Sequence, residues 1–182
     1  MIPDNGMLAR RTWAMPSSET FSIKPIGELV KKYLSGVSVD PFARDKRWAT
    51  YTNDLNPATA SEYHMDACDF LRMLVEKGVQ ADVVIFDPPY SPRQIKECYD
   101  GIGKKMAQMD AFRTHWKPER DAINKLLKPE GVVLSFGWNT IGMGSKRGFE
   151  PVEIVVVCHG PGHNDTLGLA ERKAVTQMEL AA

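Results

Sequence analysis

Four consecutive residues, Asp87-Pro88-Pro89-Tyr90, combine a carboxylate, two rigid rings and an aromatic side chain. Proline has no N–H and pushes the residue before it towards extended geometry, so the segment presents a carboxylate and carbonyl oxygens with few competing donors. The Asp87 carboxylate and the Pro88 carbonyl could hold both hydrogens of an amino group on a flat base and free its nitrogen lone pair for attack. Tyr90 could stack on the same base. The alternative is a plain turn at the end of a strand.

The surrounding sequence predicts that this motif follows a buried strand. Val83 to Phe86 is an apolar run bounded by aspartates, which is typical of a strand that is covered on both faces. Ser91-Pro92 and Gln94 form the start of a helix that continues through Tyr99. In open parallel sheets, ligands bind beyond the carboxyl ends of the strands. The polar residues that follow predicted strands at this edge are Asp40, Asp54, Asp66 and Asp87.

The other elements alternate between strands and helices, and this predicts an α/β fold, a three-layer sandwich with a mostly parallel sheet and an antiparallel edge strand. A helix begins at Pro25, where the apolar residues recur with helical spacing. Residues 1–19 are expected to form an irregular arm, and residues 20–182 a single domain. The remaining predicted elements are strands at 37–40, 49–53, 132–136, 152–158 and 169–177, and helices at 67–77 and 118–127.

Composition excludes several classes of protein. The 182 residues carry 23 Lys and Arg against 23 Asp and Glu, and 43% are hydrophobic, so neither a disordered nor a collagen-like chain fits. No apolar run is long enough for a spanning helix, and the first residues lack the core of a signal peptide, so a cytoplasmic protein without a membrane partner is expected. The three cysteines form no CxxC pair. We therefore expect neither a disulfide framework nor a metal site.

With its motif in this position, the chain resembles the amino-group methyltransferases that depend on S-adenosylmethionine, in particular the N6-adenine DNA methyltransferases. The resemblance covers roughly residues 21–173 and implies a three-layer Rossmann-like methyltransferase fold. It also implies that Asp87, Pro88, Pro89 and Tyr90 are catalytic, and that the adenine target in DNA is flipped out of its helix. Aspartate in the first place of the motif is usual for adenine methylation, whereas enzymes that methylate the N4 group of cytosine tend to carry serine there.

The same resemblance assigns S-adenosylmethionine as the cofactor and implies the residues that bind it. These are Lys24 and Pro25 in a flanking motif, Asp40-Pro41-Phe42-Ala43 in a cofactor loop, Asp54 for the ribose hydroxyls, and Asp66 with Ala67 for the adenine. A carboxylate after the second strand can accept from both ribose hydroxyls, which supports the role of Asp54 independently. Other interpretations stay open: Asp54 as a turn residue, Asp66 as a helix cap and Phe42 as part of the core.

Two features depart from the family pattern. The cofactor loop normally contains glycines, but no glycine occurs between Gly36 and Gly78. Either Pro41 to Arg44 forms a tight turn with Arg44 near the cofactor's carboxylate, or affinity for the cofactor is lost.

The second departure is that no separate target-recognition domain is evident. The stretch Arg93 to Lys128, in which basic residues are interleaved with Tyr99, Phe112, His115 and Trp116, could contact nucleic acid, or it could be a charged helix face and a loose loop. Three functions remain open: methylation of adenine in DNA, methylation of an RNA base such as guanine N2 in ribosomal RNA, and a catalytically silent binding module with the same fold.

Overall fold

The computed structural model describes residues 6–105 and 116–175, and within them seven strands and four α-helices form one sheet with helices on both faces. The strands are β1 (Leu8–Trp13), β2 (Ser38–Asp40), β3 (Tyr51–Thr52), β4 (Ala81–Phe86), β5 (Leu127–Gly137), β6 (Phe149–Cys158) and β7 (Thr166–Lys173). The helices are α1 (Lys24–Tyr33), α2 (Ala67–Glu76), α3 (Pro92–Gly101) and α4 (Lys117–Leu126).

The strand order in the sheet is β1-β6-β7-β5-β4-β2-β3. Every neighbouring pair is parallel except those of β7, which is antiparallel to both β5 and β6. The predicted α/β class with a mostly parallel sheet is therefore confirmed. The sequence predicted an antiparallel strand at the edge of the sheet, but the antiparallel strand lies inside it. β6 does not pair with β5, and β7 lies between the two.

The N-terminal segment was expected to be irregular, and this is wrong for Leu8–Trp13, which form β1. This strand pairs in parallel with β6, from Leu8 opposite Glu153 to Trp13 opposite Cys158. Five of its six residues are exposed. Because backbone hydrogen bonds and not buried side chains hold the strand in place, its sequence shows no alternation of apolar and polar residues that would predict it.

Two apolar layers hold the helices on the sheet. Helix α1 covers one face through Ile26, Leu29 and Val30, which belong to a cluster with residues of β4, β5, β6 and β7. Helices α2 and α4 cover the other face and belong to a cluster with alternate residues of the central strands. Because β4 and β5 are buried on both faces, a polar group at their carboxyl ends lies next to the buried apolar core.

Asp82 fastens the start of the central strands. Its carboxylate accepts hydrogen bonds from the backbone N–H of Val37 and from the ammonium of Lys128, both at 2.7 Å. The hydrogen bond from Lys128 lowers the pKa of Asp82. Gly36 adopts a φ of +56°, and a Cβ atom there would overlap this carboxylate, so the close approach requires glycine.

We expect Asp82→Asn to lower the free energy of unfolding by about 1–2 kcal/mol near pH 7, because the pair with Lys128 loses its charge. A carboxyl group whose pKa is lowered by folding stabilises the protein above its unfolded pKa, and this stability is lost as the pH falls through the folded pKa. Urea denaturation should therefore show the difference from the unsubstituted protein shrinking below about pH 4. A difference that stays constant from pH 7 to pH 3 would contradict this assignment.

Candidate functional site

The carboxyl ends of β2, β3 and β4 bring three aspartates to one edge of the sheet. Asp40 is 1% exposed and accepts a hydrogen bond from the N–H of Phe42 at 3.0 Å. Burial raises the pKa of Asp40 well above its usual value, and the charges of Asp87 and Asp54 raise it further. Within residues 6–105 and 116–175, its second oxygen is buried and has no hydrogen-bond partner. Burial thus disfavours the charged form of Asp40.

A cavity of about 250 Å³ opens beside these carboxyl groups. Its walls come from the loops after β2 and β3, the start of α2, helix α3 and the turn after β4. Among the residues that the resemblance assigned to the cofactor, those that line the cavity are Pro41, Phe42, Asp54, Asp66 and Ala67. Ala43 lines a smaller neighbouring cleft. Lys24 and Pro25 begin α1, and neither they nor the buried Asp40 line the cavity.

Both aspartates that line this cavity also have structural partners. The Asp54 carboxylate accepts from the backbone N–H groups of Arg44 at 3.1 Å and Asn56 at 2.8 Å. Asp66 caps α2 by accepting from the N–H of Cys68 at 2.9 Å. The turn and cap interpretations of these residues are thus correct, and both side chains also face the cavity.

The loop without glycine forms a tight turn. Arg44 has a φ of +52°, the left-handed conformation in which glycine is normally found. Its backbone is held by Asp54 and by Ser61, whose hydroxyl donates to the Arg44 carbonyl at 2.9 Å. Its guanidinium donates to the Ser18 carbonyl at 2.7 Å. Hydrogen bonds thus hold the arginine in a strained conformation that a glycine would adopt freely.

Asn53 is a positioning residue that sequence reasoning missed. It is fully buried, and its side-chain amide donates to the carbonyls of Pro41 and Met65 and accepts from the N–H of Met65, all within 3.1 Å. It therefore joins the loop after β2 to the segment before α2, and both border the cavity. The available signal was a polar residue at the end of the strand predicted at 49–53.

The turn after β4 is held by its own tyrosine. The Tyr90 hydroxyl donates a short hydrogen bond to the Asp87 carboxylate, and the Tyr90 N–H donates to the Gln94 side chain at 2.6 Å. Burial raises the pKa of Asp87 to about 6, while hydrogen bonds from Tyr90 and Thr20 and the positive charge of Arg44 oppose that rise. Burial and the charge of Asp87 raise the pKa of Tyr90, so its hydroxyl stays protonated.

The turn lies between two spaces. Pro89 lines the 250 Å³ cavity, whereas Tyr90 lines a second space of about 290 Å³, which we call the outer cavity. The outer cavity is also lined by Thr20, Gln94, Trp138, His159 and Thr166. The ring of Trp138 meets the Tyr90 ring edge-on, with their centroids 5.6 Å apart. Asp87 itself lines the smaller cleft that Ala43 also borders, and the hydrogen bond from Tyr90 joins its carboxylate to the wall of the outer cavity. The turn thus has one cavity on its Pro89 side and another on its Tyr90 side.

The basic stretch is mainly a charged helix face where the structure describes it. Arg93, Lys96 and Lys117 each pair with a carboxylate four residues further along their own helix. Trp116 is 8% exposed and packs edge-on against Phe42, so it lines the 250 Å³ cavity instead of offering a free stacking surface. Phe112 and His115 lie outside the described residues.

Neither a metal site nor a membrane-spanning helix is found among the described residues. Among residues 6–105 and 116–175, no group of three or more His, Cys, Asp or Glu side chains is arranged to hold a metal ion. No helix in this part of the chain combines the length and the apolar character needed to cross a bilayer.

No protein-family model and no curated protein sequence matches the chain, but solved structures do. TrmN from Thermus thermophilus is 15% identical with a TM-score of 0.50, and the match covers 81% of this chain and 47% of that one. A protein from Streptococcus mutans with a proposed S-adenosylmethionine-dependent methyltransferase activity is 10% identical, with a TM-score of 0.49 and the same two coverages. A hypothetical protein from Thermus thermophilus is 14% identical, with a TM-score of 0.45, and the match covers 87% of this chain and 91% of that one.

The pH dependence of stability tests the environment of Asp87. A carboxyl group whose pKa is about 6 in the folded protein and 3.8 unfolded destabilises the fold when it is ionised, and this cost disappears as the pH falls. We expect Asp87→Asn to be more stable than the unsubstituted protein above pH 6, with an advantage that declines between pH 6 and 4. Urea denaturation across this range measures it, and an advantage that does not vary with pH would contradict the buried environment.

The chain spans about half the length of TrmN and of the Streptococcus mutans protein. At these identities the likeness concerns the fold alone. The likeness to TrmN and the order of the strands agree, and together they assign the chain the Rossmann-like fold of methyltransferases.

Proposed function

We propose that this chain transfers a methyl group from S-adenosylmethionine to the N6 amino group of adenine in DNA. The observation that carries the proposal is the Asp87–Tyr90 turn, which separates a cavity for a donor from a cavity for a flat acceptor. The methyltransferase fold supports the reaction class. Aspartate at the first position of the turn supports adenine as the base.

The 250 Å³ cavity fits the chemistry of the cofactor. The Asp54 carboxylate suits the ribose hydroxyls, and Asp66 and Ala67 at the start of α2 suit the adenine, with Phe42 and Trp116 as apolar walls. When bound, the cofactor supplies an electrophilic methyl group on a positively charged sulfur.

The chain's own residues would prepare the acceptor. The Asp87 carboxylate and the Pro88 carbonyl accept the two hydrogens of the amino group, so its lone pair is no longer delocalised into the ring and is directed at the methyl group. Tyr90 and Trp138 provide ring surfaces in the outer cavity. An adenine inside a duplex cannot reach this depth, so the base leaves its stack. After transfer, the nitrogen loses one proton to solvent, for which Asp87 is a suitable first acceptor.

Methyl transfer itself gives the direct test. The protein, tritiated S-adenosylmethionine and matched single-stranded DNA, duplex DNA and RNA oligonucleotides are combined, and the nucleosides are then separated. We expect label in N6-methyladenine from DNA. Label confined to RNA would replace the DNA substrate with an RNA base. An absence of transfer, together with no heat on titration with millimolar S-adenosylmethionine, would favour a catalytically silent binding module.

Asp87→Ala should reduce methyl transfer by at least about 100-fold, because the main acceptor for the amino hydrogens is lost. Binding of S-adenosylhomocysteine, measured by calorimetry, should change little, since Asp87 does not line the 250 Å³ cavity. Asp100→Ala is the matched control: it removes an exposed carboxylate that pairs with Lys96 on its own helix. Full activity of Asp87→Ala would refute its catalytic role.

The pH profile of the reaction tests the bond between Tyr90 and Asp87. Only the ionised carboxylate is a full acceptor, so kcat/KM should fall below an apparent pKa near 6. Tyr90→Phe removes a hydrogen bond that lowers the pKa of Asp87, and the acidic limb should move to higher pH. Tyr33→Phe is the control, because the Tyr33 hydroxyl donates to Glu153 instead. An unmoved limb in Tyr90→Phe would contradict the assignment.

A further inference from the structure

Trp138 also lines a further open space, which we call the flanking cleft. Its volume is about 460 Å³, and it is lined by Trp138, His163, Asn164, Asp165 and Leu167. Trp138, His163 and Asn164 also line the outer cavity beside Tyr90. The two spaces therefore share a wall, and a molecule that fills the outer cavity is adjacent to whatever occupies the flanking cleft.

The elements around the flanking cleft are fixed at their bases. The loop between β6 and β7 starts from the pair Val157 and Thr166 in the sheet. The ring of His159 bridges the Ala14 carbonyl and the Thr166 hydroxyl, each at 2.8 Å. Trp138 follows directly after β5 and packs on Tyr90. The walls of the cleft are thus held at a defined position relative to the catalytic turn.

The polar side chains of this cleft are available for a ligand. His163, Asn164 and Asp165 are all exposed, and across residues 6–105 and 116–175 none of these three side chains forms a hydrogen bond. An amide can donate to and accept from the edge of a base, and a carboxylate accepts from the amino group of cytosine. Trp138 is 43% exposed and offers a ring on which a base can stack.

We propose that the flanking cleft binds the nucleotide next to the flipped adenine and discriminates among its possible bases through Asn164 and Asp165. This inference rests on the proposed function and assigns sequence preference to the loop between β6 and β7. A nucleotide is the occupant because the cleft adjoins the acceptor space, combines a stacking ring with free donor and acceptor groups, and has a volume typical of a small-ligand site.

The experiment uses single-stranded DNA oligonucleotides with one adenine in a fixed context. Cytosine, guanine or thymine is placed in turn on its 5′ side and then on its 3′ side, and kcat/KM is measured for each. We expect a spread of about fivefold or more on one side and little on the other, as one good contact between a side chain and a base edge provides. In Asn164→Ala and Asp165→Ala the spread on that side should shrink towards one.

Gln80→Ala is the matched control, because Gln80 is an exposed amide just before the start of β4, at the opposite end of that strand. The spread of kcat/KM in Gln80→Ala should equal that of the unsubstituted protein, and thermal unfolding should show that all three variants are folded. Equal kcat/KM values for every neighbouring base, or a spread that neither Asn164→Ala nor Asp165→Ala changes, would overturn the inference. The proposed function would stand in either case, because methyl transfer to DNA would still have been observed.

A binding measurement separates the two proposals. Fluorescein-labelled oligonucleotides with the same neighbours are titrated with the protein, and dissociation constants are compared for Asn164→Ala, Asp165→Ala and Gln80→Ala. A preference that the first two variants remove, without methyl transfer to any oligonucleotide, would support the flanking cleft and refute the proposed function. Uniform binding by the unsubstituted protein, without transfer, would refute both.

Discussion

The site depends on one carboxyl group placed where water is scarce. Asp87 directly follows β4, which has paired strands on both sides and apolar layers on both faces; the residue is half-buried there, and desolvation raises the pKa of its carboxyl group to about 6. Hydrogen bonds from Tyr90 and Thr20 and the positive charge of Arg44 limit that rise. An isolated buried carboxylate would be neutral near pH 7 and a poorer acceptor. Tyr90 thus keeps Asp87 ionised and, with the same side chain, forms a wall of the outer cavity.

The loop without glycine shows how a backbone requirement can be met by neighbouring side chains. Arg44 occupies a left-handed conformation that costs on the order of 1 kcal/mol for a residue with a side chain. Asp54 and Ser61 hold its backbone, and Asn53 anchors the preceding Pro41 carbonyl. The Asp54 carboxylate therefore faces the cavity and also holds the loop in its turn. Changes in Asp54 would alter the shape of the cavity as well as its charge.

The sequence predicted the elements that bury apolar side chains with a clear period. Helix α2, with its Asp66 cap, and strand β4 agree closely with expectation, since both have their apolar residues where the core requires them. The position of β7 between β5 and β6 depends on pairing over long distances, which local patterns do not encode. Strand β1 escaped prediction because its side chains are exposed.

The sequence predicted those residues of the candidate site whose type follows from the proposed chemistry. It was a poor guide to residues whose role depends on their position in the folded chain. Asp87 to Tyr90 and Asp54 could be found from their position after strands. Asn53 carried only the weaker signal of its place at a strand end, and Trp138 carried none, because an amide joins loops and a tryptophan lines a cavity only once the chain has folded.

Under the proposed function, the same buried acceptor explains why an amino group would be selected. A flat ring that reaches the turn from the outer cavity would remove water from the Asp87 carboxylate, and that cost is offset only if the ring donates hydrogen bonds in return. A ring with a carbonyl in place of the amino group would set two acceptors against each other. Sites built to hydrogen-bond a substrate group reject analogues without it by large factors, about 10⁴ or more. Discrimination would thus arise from the desolvation of Asp87, while stacking on Tyr90 and Trp138 would favour any base equally.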